Sequence, residues 1–177
     1  IPSAGIIKDA MLFSLDKDTG KVKRKMSTEQ FRQVVEVNLV GSFITLREGA
    51  ERMINNGWPG VLFTISSINK EGQVGQLNYS STKSAVALWP KILVGEFQNR
   101  GIKNIRIVGI APGYVGTPMV KNMNQKALDE IITGVHIGRL IDPDEIALLI
   151  KSVVENEAID GTTIEVSGGL IATGLAK

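Results

Sequence analysis

Apolar residues along this chain follow two rhythms, and the rhythms alternate. Val61-Leu62-Phe63-Thr64-Ile65 and Ile105-Arg106-Ile107-Val108-Gly109-Ile110-Ala111 are compact β-rich runs with little polar alternation, as expected for strands covered on both faces. Thr162 to Val166 is a third, final strand. Between them lie stretches at helical spacing. Phe31, Val34, Val35, Leu39, Leu46, Ala50, Met53 and Ile54 recur along one helix. Ser27-Thr28-Glu29-Gln30 opens it as a capping box, and Asn56-Gly57 closes it with Pro59 beyond. A second helix is predicted from near Tyr79 to about Arg100, ended by Gly101. Pro90 falls inside it and cannot donate to Val86, which predicts a kink. Asp142-Pro143-Asp144-Glu145 supplies an N-cap, a first-turn proline and a carboxylate at N3, opening a helix through Val154.

The remaining segments read as loops. Residues 8–26 form a polar stretch with a turn at Asp16-Lys17-Asp18-Thr19-Gly20. From Met119 to about Gly138 the chain starts irregularly, with Asn122, Asn124 and Gln125, before Leu128-Asp129-Glu130-Ile131-Ile132. Strands alternating with helices imply right-handed crossovers and a parallel sheet with helices on both faces. The predicted class is α/β with a Rossmann-like doubly wound sheet, in one domain covering residues 1–177. Ligands of such sheets sit at the carboxyl ends of the strands, where Ser66-Ser67 and Pro112-Gly113 fall.

Composition narrows the function. With 43% hydrophobic and 21% charged residues, the chain is an ordinary globular one. A net charge of +2 is too mild to argue for nucleic acid, and Lys21, Lys23, Arg24 and Lys25 read as a solvated loop. Cysteine is absent, which removes disulfides and thiolate metal sites and is compatible with a cytoplasmic home. His136, the single histidine, reads as a surface or lid residue, so no metal centre is expected. No apolar run reaches membrane-spanning length. Ile1-Pro2-Ser3-Ala4-Gly5-Ile6 carries neither an initiator methionine nor a signal pattern, and reads as a strand end turning into a loop. The natural protein is expected to begin well before Ile1; an intact mass near 19.1 kDa would refute that expectation.

The candidate chemistry lies in Asn78-Tyr79-Ser80-Ser81-Thr82-Lys83. On a helix, Tyr79 and Lys83 project from the same face. An ammonium about 4 Å from a phenol, at an effective dielectric near 20, favours the phenolate by roughly 4 kcal/mol. That is enough to bring a phenol from about 10 toward the neutral range, where it serves as a general acid or base. A strand-end hydroxyl from Ser67 can hold a carbonyl oxygen against it. In isolation each residue has a blander reading: Tyr79 as an amphipathic helix residue with Lys83 snorkelling, Ser67 as a strand-end hydroxyl, Asn38 as a packed polar group, Pro112-Gly113 as a turn. Trp89-Pro90 reads as structural.

Taken together with Val37-Asn38-Leu39-Val40-Gly41 and Pro112-Gly113, these motifs make the chain resemble the short-chain dehydrogenase/reductase family. The likeness runs from Ser3-Ala4-Gly5 to Ser167-Gly168-Gly169. Through Gly75-Gln76-Leu77-Asn78-Tyr79-Ser80, and through Gly138-Arg139-Leu140 followed by Pro143-Asp144-Glu145-Ile146-Ala147, it is similar to 3-oxoacyl-(acyl-carrier-protein) reductases and acetoacetyl-CoA reductases. The resemblance implies carbonyl/alcohol interconversion with NADP(H) or NAD(H), and reduction of a 3-oxoacyl thioester above other substrates. Tyr79 would exchange the proton with the substrate oxygen, Ser67 would orient that oxygen, and Lys83 would lower the phenol's pKa and meet the nicotinamide ribose. Asn38 would hold, through its backbone, a water relaying protons to Lys83. Ala4 and Gly5 match the turn at the adenine-side ribose. Pro112, Gly113, Val115 and Thr117 match the loop beside nicotinamide and pyrophosphate, with Met119 completing the motif. The segment from Met119 to Gly138 would be a substrate lid. A homotetramer joined through the helices of Asn38 and Tyr79 is implied, with acyl carrier protein as a possible partner.

Ser66 competes with Ser67 for the serine role. Aligning the strand selects Ser67, whereas counting back from Tyr79 selects Ser66; strand registers resist deletions better than loops do. Three departures from the family pattern stand out. Ser3 replaces an asparagine, and the loop between Gly5 and Asn38 is longer than usual. No G-x-G-x-x-G turn follows a strand, so the amino-terminal dinucleotide-binding part, with the residue that separates NAD from NADP, falls outside this chain. A non-catalytic binding or assembly protein on a degenerate reductase fold is the alternative reading.

Overall fold

The computed structural model describes residues 1–121 and 124–170. Its centre is a parallel sheet of three strands, β3 (Gly60–Ile65), β4 (Ile105–Pro112) and β5 (Thr162–Val166), in that spatial order. Leu62 lies beside Ile107 and Ile65 beside Ile110, while Ile110 pairs with Ile164 on the other side. Each register therefore sorts alternate side chains to opposite faces. Leu62, Ile105 and Ile107 pack on one face with Leu46, Phe97 and the half-buried Trp89. Phe63, Val108 and Ile110 pack on the other with Val153, Leu149 and Ile164. Helices cover both faces, which is why the strand sequences lack a polar side. Burying each of Ile107, Val108 and Ile110 completely is worth about 1.5–3 kcal/mol.

The first long helix forms as α1 (Thr28–Val35), a π-helical turn (Glu36–Val40) and α2 (Gly41–Asn56). Ser27 caps it by accepting from the Gln30 amide at 3.0 Å, but the reciprocal half of the expected capping box is not made. Instead the Gln30 side-chain amide donates to the Lys8 and Asp9 carbonyls at 3.0 and 3.3 Å. Gly57, at φ 66°, ends α2 in the left-handed conformation expected of a helix-closing glycine. Helix α3 (Leu77–Asn99) starts two positions before Tyr79 and continues through the buried Pro90. α4 (Pro118–Lys121) and α5 (Gln125–Thr133) follow β4, and α6 (Pro143–Glu155) precedes β5. Asn122, which falls in the expected lid, lies outside the described residues.

The capping box of α6 is complete: Asp142 accepts from the Asp144 amide at 2.9 Å, and Glu145 accepts from the Asp142 amide at 2.8 Å. Arg139 clamps the same Glu145 carboxylate with two bonds of 2.8 Å and draws its pKa down to about 2. The spacing of Gly138-Arg139-Leu140 and Pro143-Asp144-Glu145 thus has a structural cause.

One expectation needs correction. Residues 8–26 are not simply loop, because Phe13–Leu15 and Val22–Lys25 pair as an antiparallel hairpin, β1 and β2. The predicted turn holds its tip, with the Asp16 carboxylate accepting from the Asp18 and Thr19 amides. Every strand residue of this hairpin is exposed, so no burial pattern marked it in the sequence. No described helix is long and apolar enough to cross a membrane.

Candidate active site

The carboxyl end of β3 delivers two serines with different tasks. The Ser66 amide donates to the Ile110 carbonyl at 2.7 Å, which extends the β3–β4 pairing by one residue. Its hydroxyl turns into the interior and donates to the Lys83 carbonyl at 2.7 Å. Ser67 is extended, and its hydroxyl accepts from the Asn69 amide at 3.2 Å, capping the 3₁₀ turn Ile68–Glu71. That hydroxyl also interacts with the Tyr79 phenol. Side-chain alternation alone therefore separates the two serines, and the geometry puts Ser67 with the tyrosine.

Helix α3 carries Tyr79 and Lys83 on one face. The Lys83 ammonium donates to the Ile65 carbonyl at 2.8 Å and lies 5.6 Å from the Tyr79 ring centroid. Lys83 and the end of β3 are thus joined twice, through Ser66 at the lysine backbone and through Ile65 at its side chain. Thr82 donates to the Tyr79 carbonyl at 2.7 Å, tying that turn of the helix together.

Asn38 sits in the π-helical turn and is 1% exposed. Its side-chain oxygen accepts from the Ile6 amide at 2.8 Å and its side-chain nitrogen donates to the Ile6 carbonyl at 3.0 Å. Both hydrogen-bonding capacities of Ile6 are met by one side chain, as a neighbouring strand would meet them. The loop from Ala4 and Gly5 is thereby pinned over the site. A Cβ on Gly5 would stand 3.6 Å from the Asn38 oxygen and 4.0 Å from the Lys83 ammonium, so this backbone passes close to both. Single π-turns interrupting α-helices often mark functional positions.

The electrostatics depart from expectation. Burial pushes the Tyr79 phenol up, the Ser67 hydrogen bond opposes this, and the nearby Asp9 and Tyr114 add to it. Burial also draws Lys83 down to about 8. Burial of the phenol works against the lowering of Tyr79 expected from Lys83. Removal from water dominates the phenol, while the ammonium is paired with the Ile65 carbonyl.

Pro112 ends β4, and the Gly113 amide donates to the Val166 carbonyl at 2.8 Å. A Cβ on Gly113 would stand 3.0 Å from the Ser167 Cα, so only glycine lets the two strand ends approach this closely. Val115 bridges Ile141 through bonds made by its neighbours: the Ile141 amide donates to the Tyr114 carbonyl and the Gly116 amide to the Ile141 carbonyl. In a parallel bridge of this kind the amide of the central residue faces the other way. The Thr117 amide donates to the Val115 carbonyl at 2.7 Å as the chain enters α4.

Asn38, Gly5, Ser67, Tyr79 and Lys83 are thus brought together, with Pro112 to Thr117 at the next strand end. Sequence reasoning missed Asp9, Asn69, Gln76 and Tyr114. Asn69 donates to the Gln76 side-chain oxygen at 2.9 Å, and the Gln76 side-chain nitrogen donates to Asp9 at 3.0 Å. Asp9 and Gln76 are 67 positions apart, and no spacing in the sequence links them. Asn69, Gln76 and Tyr114 each lie within three residues of a named site residue, which is the local signal that could have found them.

The profile of the short chain dehydrogenase family matches residues 3–128. The human (3R)-3-hydroxyacyl-CoA dehydrogenase is 32% identical over 173 residues, which are 96% of this chain and 61% of that protein. Acetoacetyl-CoA reductase of Shinella zoogloeoides is 37% identical across 96% of this chain and 66% of its own length. The crystal structure of 3-oxoacyl-[acyl-carrier protein] reductase from Brucella melitensis superposes with a TM-score of 0.79 at 28% identity, over 96% of this chain and 61% of that one. The chain belongs to the short chain dehydrogenase family. It spans a little under two thirds of the length of these relatives.

Proposed function

We propose that this chain carries the proton-transfer half of an NAD(P)(H)-dependent oxidoreductase that reduces the 3-oxo group of an acyl thioester. The observation that supports it is the meeting of the Tyr79 phenol, the Ser67 hydroxyl and the buried Lys83 ammonium at the end of β3. Relatives named for 3-hydroxyacyl-CoA, acetoacetyl-CoA and 3-oxoacyl-carrier substrates support the thioester class.

In this reading a bound nicotinamide supplies hydride to the carbonyl carbon. Tyr79 donates its proton to the carbonyl oxygen, and burial favours the protonated phenol that this step requires. Ser67 holds the same oxygen from the opposite side, stabilising the charge that develops there. Lys83 keeps a cation behind the phenol, able to meet a ribose hydroxyl where Gly5 leaves room. Asn38 contributes through its backbone a water that passes protons toward Lys83. The outward-facing Val115 amide fits a carboxamide, with Thr117 beside it, and Ala4 and Gly5 approach the adenine-side ribose. The residues present fit the nicotinamide-ribose end of either NADP(H) or NAD(H). Segments α4 and α5 serve as the substrate lid.

The assembly we propose is a cytoplasmic homotetramer, taking acyl-CoA or an acyl carrier protein as substrate. Phe43, Ile44, Leu88 and Ile92 support it, because these large apolar side chains stand exposed along α2 and α3.

Tyr79→Phe tests the reading in the complete protein. Turnover of a 3-oxoacyl thioester is expected to fall by about 10²- to 10⁴-fold, with the fold retained. Near-normal turnover in the variant would overturn the assignment. A parent protein that neither turns over thioesters nor binds either nucleotide by calorimetry would favour the assembly role.

A further inference from the structure

Tyr79 stands in the first turn of α3, where a helix offers its own amides no carbonyl partners. The carbonyl four residues earlier, that of Gly75, accepts instead from the Ala10 amide at 2.9 Å. Gln76, at the N-cap, makes no side-chain cap, because its amide group is engaged with Asn69 and Asp9. Asn78 fills the gap. Its side-chain oxygen accepts from the Tyr79 amide at 2.8 Å, and its side-chain nitrogen donates to the Lys8 carbonyl at 2.9 Å. Asn78 is fully buried, and a flipped amide would set like against like at both partners, so one orientation is fixed.

The carbonyl of Tyr79 is held in the same manner. The buried Thr82 hydroxyl donates to it at 2.7 Å and accepts from the Asn38 side-chain nitrogen at 3.4 Å. That nitrogen also donates to the Ile6 carbonyl. Asn78 thus reaches the segment over the site directly at Lys8, and Thr82 reaches it through Asn38 at Ile6.

We infer that Asn78 and Thr82 are positioning residues: together they fix the main chain of Tyr79 against the Ile6–Lys8 segment and so keep the phenol within reach of the oxygen it protonates. The inference rests on the reductase reading for its effect on turnover. Either bond alone has an ordinary explanation. Helical threonines often bond back to a carbonyl one turn earlier, and asparagines often serve helix starts. These two differ because each also bonds out of the helix, to Lys8 across 70 positions and to Asn38 across 44. A buried polar network whose members are paired rigidifies what it joins.

Both side chains can be altered without removing a reacting group. Thr82→Val keeps the shape and deletes the hydroxyl, with Thr82→Ser as the rescue, and Asn78→Ala deletes both bonds of Asn78. In the complete protein, kcat per folded molecule is expected to fall about 10- to 100-fold in Thr82→Val and Asn78→Ala. KM for thioester and nucleotide should stay near the parent values, and Thr82→Ser should recover kcat. A loss confined to stability or to KM, with kcat of the folded variants unchanged, would overturn the inference. Ring-labelled tyrosine followed by NMR gives a readout without turnover. The Tyr79 signal, assigned with Tyr79→Phe, should broaden in both variants and sharpen again in Thr82→Ser, while Tyr114 stays as in the parent. A Tyr79 ring as well ordered as in the parent would sink the inference equally. Should the complete parent show no turnover, the reductase reading falls and the ring signal decides alone. Thr82→Val removes a single hydroxyl, so it reports even where Asn78→Ala does not fold.

Discussion

Lys83 carries a stability cost that can be measured directly. The residue is 6% exposed, and its ammonium has one acceptor among the described residues, the Ile65 carbonyl. Burial brings its pKa from 10.5 down to about 8. At 1.36 kcal/mol for each tenfold change in proton affinity, the folded protein disfavours the charged form by ~3 kcal/mol. The sign follows from proton counting. Between pH about 8 and 10.5 the unfolded chain keeps the proton that the folded chain has lost, so stability rises with pH across that window. Below pH about 8 both states are charged and the full cost remains. Lys83→Met keeps the length of the side chain and removes the charge. It also leaves the Ile65 carbonyl without this donor, which costs about 1–2 kcal/mol. Near pH 7 the variant is therefore expected to be more stable than the parent by about 1–2 kcal/mol, as when buried charges are replaced by apolar groups. Urea denaturation near pH 7 and near pH 10 measures both quantities. The advantage should shrink or reverse at the higher pH, as the parent regains what burial costs it. A difference between the two proteins that stays constant with pH would refute the argument. The same substitution should weaken cofactor binding and turnover, which would explain why a charge is retained there.

Two further substitutions test the scaffold around the site. Asn38→Ala strips both partners from the Ile6 backbone and should destabilise the protein by about 2–4 kcal/mol, with faster amide exchange at Ile6. Unaltered exchange there would show that the Gly5 loop is held by something else. Thr64 is fully buried in β3 and its hydroxyl has no hydrogen-bond partner among the described residues. Thr64→Val should raise the unfolding free energy by about 1 kcal/mol, and a lower denaturation midpoint would contradict that.

Much of the scaffold was legible because its causes are local. Apolar runs, the Ser27 and Asp142 caps, Gly57 and Gly101 each act within a few residues, so strands and helix ends were placed closely. The hairpin of β1 and β2 escaped because it is exposed throughout and leaves no alternation to read. The second half of the Ser27 capping box failed for a related reason: Gln30 found better partners in Lys8 and Asp9, more than 20 positions upstream.

What the amino-acid order determined by itself was the set of chemical groups and the helix that spaces Tyr79 from Lys83. Only the folded chain decided which way those groups point. It sent the Ser66 hydroxyl inward and the Ser67 hydroxyl toward the phenol, and it aimed the ammonium at Ile65. It also brought Asp9 to Gln76 across 67 positions. The physical reason is one of range. Periodicity and capping are short-range, whereas the proton affinities of Tyr79 and Lys83 depend on exclusion of water and on charges assembled from distant segments.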